Sequence, residues 1–133
     1  MDELIRTLVG EHVRMRELLR QAKESADSSD FEAVSRDLRQ LEPVFKQHIA
    51  DEEATVLRLL IGTLGRAGAE DEIKVFQQHR PIYKLMQTVS ELAAKNAVEL
   101  RMSQEELNGL FDVHAGAEEG RVFPKALSCV REK

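Results

Sequence analysis

Four stretches of this chain place their apolar residues three and four positions apart, and that spacing decides what the chain can fold into. The first runs through Ile5, Leu8, His12, Met15, Leu19 and Ala22. The second carries Phe31, Val34, Leu38, Leu41, Phe45, His48, Glu52, Val56 and Leu59. Phe76, His79, Tyr83, Met86, Ser90 and Ala93 make the third, and Leu107, Phe111, His114, Glu118 and Val122 the fourth. Such a stripe lies along one side of an α-helix, where it must be buried against other helices. One Tyr, no Trp and no sustained alternation leave little from which to build strands. The expected fold class is all-α, an antiparallel up-down-up-down four-helix bundle formed as a single domain over residues 1–133.

Breaks between the stripes fall where helices should stop. "ADSSD" (26–30) offers Asp30 or Ser29 as an N-cap, and "GTLGRAG" (62–68) carries three glycines. Asn96 is placed to close the third helix, and Ser103 with Glu106 has the spacing of a capping box opening the fourth. Pro43 and Pro81 lie inside periodic stretches and are expected to kink or loosen them.

The polar residues narrow the choice of partner. A net charge of -5 gives no basic face for releasing counterions from nucleic acid. No run of 18 apolar residues is long enough to span a membrane. "MDELIRTLVGEHVRM" lacks the basic start and apolar core of a signal peptide, and the lone Cys129 fits a reducing compartment. The expectation is a cytoplasmic protein that binds neither nucleic acid nor membrane. "GTLGRAG" lacks the lysine and preceding strand of a phosphate loop.

All four histidines sit on the apolar stripes. The midpoints of successive His intervals fall near residues 30, 63 and 96, at the breaks just named. Residues equidistant from a turn meet at one height in an up-and-down bundle, so His12, His48, His79 and His114 should converge in one layer. Glu52 and Glu118 each follow a His by four residues and share its helix face. The order repeats: His12 then His48-x-x-x-Glu52, and His79 then His114-x-x-x-Glu118. Two buried carboxylates with nothing to balance them would each cost several kcal/mol. A pair of cations removes that cost, held by imidazoles and bridged by the carboxylates. Mixed nitrogen and oxygen ligands favour Fe, Mn, Zn or Cu over Mg or Ca.

This order, with the segments "HIADEEATVL" and "HAGAEEGRVFP", resembles the hemerythrin-like (HHE cation-binding) domain family over nearly the whole chain. The resemblance implies two iron ions joined by an oxygen bridge, with Mn or Zn as substitutes. It makes His12, His48, His79 and His114 terminal ligands and Glu52 and Glu118 bridging carboxylates. The oxygen-carrying members have a fifth His one turn along the third helix, where this chain has Tyr83. Their last carboxylate is an Asp five residues after the fourth-helix His, whereas here Glu118 stands at four and Glu119 at five.

The missing His leaves a coordination position for water, for the Tyr83 phenol or for an exogenous ligand. Tyr83 is either a site-adjacent residue or ligand, or a core aromatic bonded to a buried acceptor such as Glu118. Glu53 and Glu119 either face solvent or accept hydrogen bonds from ligand imidazoles. Met15 and Met86 are packing residues, and Leu8, Phe45, Val56, Phe76 and Phe111 form the apolar wall. The resemblance implies binding of or reaction with dioxygen, peroxide or nitric oxide. Peroxide-decomposing or oxidase activity is one alternative, and iron storage, delivery or iron-centre repair another.

Overall fold

A computed structural model describes residues 1–131, and these form seven helices and two π-helical turns with no strand among the described residues. The helices make four rods. The first is α1 (Asp2–Asp27), and the second is α2 (Phe31–Glu52) continuing through a π-helical turn (Glu53–Leu57) into α3 (Arg58–Gly68). The third is α4 (Glu70–Gln77) followed by α5 (His79–Ala94), and the fourth is α6 (Leu100–Ala117), a second π-helical turn (Glu118–Val122) and α7 (Phe123–Arg131). α1 packs on α2 and α6, and α5 packs on the same two helices, which closes a four-helix bundle. No described helix is long and apolar enough to cross a membrane.

Asp30 caps α2 by accepting the Ala33 N–H at 3.2 Å. The turn before it and the turn after α5 are built alike. Ser29 (φ 57°) and Asn96 (φ 52°) adopt the left-handed conformation, and the next residues, Asp30 and Ala97, donate their N–H groups five residues back to Ser25 and Leu92. Within "GTLGRAG" only Gly65 leaves helical geometry, at φ 72° and ψ 168°.

Two local expectations need correction, and a third holds. The fourth helix opens at Leu100, and Ser103 lies inside it, donating its N–H to the Glu99 carbonyl at 3.2 Å. The Ser103–Glu106 pair is therefore not a cap. Pro43 leaves α2 unbroken, because its ring and Arg39, whose carbonyl it deprives of a donor, are both on the exposed face. Pro81 does loosen its rod as expected: it stands in the first turn of α5, and the break falls just before it at Gln78.

The interior is not one continuous apolar body. Residues such as Met15, Leu38, Phe45, Met86 and Phe111 form one cluster; Leu8, Val56, Leu60, Phe76, Val122 and Phe123 form another. Between them, on every rod, stands a buried histidine.

Candidate metal centre

His12, His48, His79, His114, Glu52 and Glu118 are all buried, and the structure brings them into this one layer. His12 contributes from the middle of α1 and His48 from the last turn of α2. His79 opens α5, and His114 stands in the last turn of α6. The His12 and His48 rings lie 4.7 Å apart, and those of His79 and His114 4.8 Å apart. The Nε2 atoms face inward. Those of His12 and His114 each lie 3.0 Å from the same Glu118 oxygen, Oε1. His48 Nε2 meets Glu52 Oε1, with Glu118 Oε1 at 3.9 Å, and His79 Nε2 lies 4.0 Å from Glu52 Oε1.

Each Nδ1 faces outward toward a partner on a neighbouring rod. Glu11 Oε1 lies 2.8 Å from His48 Nδ1, and Gln78 Oε1 lies 2.9 Å from His114 Nδ1. Glu119 stands 3.5 Å from His12 Nδ1, and Glu53 stands 3.5 Å from His79 Nδ1. A carboxylate or an amide oxygen can only accept, so the Nδ1 of His48 and of His114 must carry the proton. Their Nε2 atoms are then lone pairs, aimed at the carboxylate oxygens of Glu52 and Glu118.

Lone pair against lone pair, away from water, repels. His48 Nε2, His114 Nε2, both Glu52 oxygens and Glu118 Oε2 have no hydrogen-bond partner. Protonating the imidazoles is no remedy for His79 and His114, whose pKa values are pushed down to about 3, first by burial and then by the neighbouring imidazoles. A cation between the nitrogens and oxygens turns every one of these repulsions into a bond, and neutral imidazole is the form that ligates. The donors fall into two overlapping groups: His12, His48, Glu52 and Glu118, and His79, His114 and Glu118. They fit metal ions.

The first 60 residues match the family model described as hemerythrin HHE cation binding domain. Over that stretch, a little under half of its length, the chain is similar to this family. The matched stretch holds His12, His48 and Glu52, half of the cluster, and the structure sets His79, His114 and Glu118 beside it. No curated protein and no solved structure matches the chain.

Tyr83 does not turn into the cluster. Its hydroxyl donates to Glu42 Oε1 at 3.2 Å, outside the layer, with the Lys46 ammonium 5.3 Å from its ring centre. The expectation of a Tyr83 ligand, or of a Tyr83–Glu118 hydrogen bond, is corrected accordingly. Glu119 is held in place by Arg16, whose Nη1 and Nη2 donate to its two oxygens at 3.1 and 2.8 Å; this pairing keeps the Glu119 carboxyl below its ordinary pKa.

Sequence reasoning missed Glu11, Gln78 and Arg16. Glu11 and Gln78 each directly precede a stripe histidine, so the signal was an acceptor repeated at the same place in both halves. The π-helical turns were missed as well. Their signal was present: 48, 52, 56, 60 and 114, 118, 122, 126 are buried positions at unbroken spacings of four. An α-helix drifts about 40° for every four residues, and a wider π turn absorbs that drift and returns the stripe to the core.

Proposed function

We propose that the six residues hold two iron ions, with Glu52 and Glu118 bridging and the imidazoles as terminal ligands. The observation that carries this reading is the pair of outward acceptors, Glu11 and Gln78, that fix the Nε2 lone pairs of His48 and His114 against buried carboxylates. Four imidazoles and two carboxylates suit iron, with manganese or zinc able to substitute. The reading extends the family resemblance past residue 60, because His79, His114 and Glu118 repeat the matched half.

With four imidazoles rather than five, and Tyr83 turned away, the centre keeps a position for a small ligand: dioxygen, peroxide or nitric oxide. The chain's own residues fix the tautomers and exclude water with the two apolar clusters. Bound iron supplies redox chemistry and affinity for such ligands. The free, buried Cys129 thiol fits the reducing cytoplasm as the place of action.

Elemental analysis tests this directly, on protein loaded anaerobically with ferrous iron and then desalted. About two irons per chain are expected in the wild type and fewer than one in a His48→Ala, Glu52→Ala double variant. Full retention in the variant refutes the ligand set. Admitting oxygen to the loaded sample then distinguishes a reversible adduct from oxidation.

A further inference from the structure

The two halves of the cluster correspond residue by residue. Adding 67 to a number in α1, or 66 to one in α2, gives its counterpart: His12 and His79, Glu11 and Gln78, His48 and His114, Glu53 and Glu119. Phe45 and Phe111 are counterparts too, and they meet His79 and His12 in the same edge-on manner, at 6.2 and 6.0 Å with interplanar angles of 90° and 89°. Against so regular a frame, two of the positions that depart bear on access to the rings.

The first departure concerns the carboxylates above the rings. Arg16 clamps Glu119 beside His12 with two hydrogen bonds and reaches Asp112 as well. The counterpart of Arg16 is Tyr83, which bonds to Glu42 instead. Among the described residues Glu53 therefore has no cation clamping it, and it is 50% exposed where Glu119 is 27% exposed. The second departure concerns the ring cover. Phe123 stacks on His12 at 5.8 Å, 19° from parallel, and its counterpart is the smaller Leu57, so that His79 has no stacked ring and meets Phe76 only edge-on, at 5.6 Å and 86°.

A cavity of about 470 Å³ lies where those two covers are lacking, lined by Glu53, Leu57, Phe76, His79 and Arg80 among others. A second, of about 370 Å³, shares Glu53, His79 and Arg80 and adds Lys46, Ile49 and Tyr83. The groove on the opposite face is lined by Arg16 and Asp112 and reaches no imidazole.

We propose that small ligands reach the centre from one side only, through the cavity over His79, and coordinate at the His79–His114 half. Leu57, Ile73 and Phe76 supply apolar wall, and the cations Arg80 and Lys46 line the cavities together with the Glu53 carboxylate. Small anions and neutral diatomic molecules fit that lining, and large or cationic molecules do not. This rests on the paired metal site proposed above.

Azide is the probe, added to ferric-loaded protein and followed by stopped-flow absorbance. Leu57→Phe puts over His79 the ring that Phe123 puts over His12. It should slow azide association roughly tenfold or more, equivalent to ~1.4 kcal/mol of added barrier, with two irons per chain retained. Tyr83→Arg, which supplies the missing clamp for Glu53, should slow it in the same direction and serves if Leu57→Phe melts without cooperativity. Azide association unchanged by these substitutions overturns the route. Labelling of the metal-free protein by diethyl pyrocarbonate, mapped by mass spectrometry, gives a second readout: His79 should react before His12, and Leu57→Phe should protect it. Equal labelling of the two overturns the route as well. A wild type that takes up no iron pair refutes the metal reading itself, and elemental analysis makes that failure distinguishable from a misplaced route.

Discussion

Glu118→Gln should move stability in opposite directions depending on whether metal is present. Glu118 Oε1 sits 3.0 Å from both His12 Nε2 and His114 Nε2, and the side chain is fully buried. Without metal, the wild type holds a desolvated carboxylate against the His114 lone pair. A carboxamide of the same shape removes the charge and offers an N–H to that lone pair. Charge burial costs several kcal/mol per ion, so a gain of about 1–3 kcal/mol is expected in the metal-free variant. For a chain of this length that raises Tm by roughly 3–12 °C. With metal the order reverses. Two sites filled at a hundred times their Kd add about 5 kcal/mol to the wild type. Losing the carboxylate common to both donor groups should remove at least half of that gain, about 2–3 kcal/mol. Calorimetric melts with chelator and with zinc, which avoids redox change, give both numbers. A metal-free variant that melts below the wild type while keeping the full metal-linked gain would refute the reasoning, and Glu118 would then be an ordinary core acceptor.

Lowering the pH should destabilise the metal-free protein by up to ~2.7 kcal/mol per pH unit below about 6.5, because an unfolded His takes up its proton there while His79 and His114, both held to about 3, do not. Their contribution is thus full above 6.5 and lost as the pH falls toward 3; urea melts that stay flat between pH 7 and 5 would contradict it. Tyr83→Phe removes one partly buried hydrogen bond to Glu42 and should cost about 1 kcal/mol or less, with metal content and optical spectrum unchanged. An altered spectrum would put the phenol on the metal after all. Gly65→Ala should cost about 1–3 kcal/mol, since φ 72° with ψ 168° is a region that only glycine adopts readily, and a Cβ there meets nothing within 4 Å. Metal content should be unaffected, and a melting temperature equal to wild type would show that the turn relaxes.

The helices and the histidine layer were legible because both rest on periodicity. Burial along a helix follows a three-four rule, and the midpoints between histidines fall on turns whose left-handed residues, Ser29 and Asn96, reverse the chain at matching places. What stayed hidden depends on direction rather than position. Tyr83 occupies the stripe one turn after His79, yet its six-membered ring carries the hydroxyl past the layer to Glu42, and no spacing rule encodes that reach. The start of α6 was misplaced because a serine followed by a glutamate three residues on is equally at home inside a helix, where the serine N–H finds a carbonyl four residues back. Glu11 and Gln78 were overlooked because they lie off the apolar stripe, which is where a residue must lie to reach across to the next rod.

That reach explains why the layer can be polar without loosening the bundle. Glu11 of α1 holds His48 of α2, Glu53 after α2 faces His79 of α5, Gln78 before α5 holds His114 of α6, and Glu119 after α6 faces His12 of α1. Two hydrogen bonds and two 3.5 Å approaches thus run from each rod to the next around the cluster. Sliding any one rod along its neighbour by a single residue, about 1.5 Å, would break two of these at once, so together they fix the register of all four rods. Imidazole orientation and helix register are then one property, and a metal that selects the first also tightens the second. The two 3.5 Å approaches differ in exposure and in clamping, not in length. The Glu53–His79 link is 3.5 Å, it has no clamp among the described residues, and its carboxylate is half exposed. The cavity proposed to admit a ligand therefore lies beside the unclamped carboxylate, and Arg16 holds Glu119 on the other side.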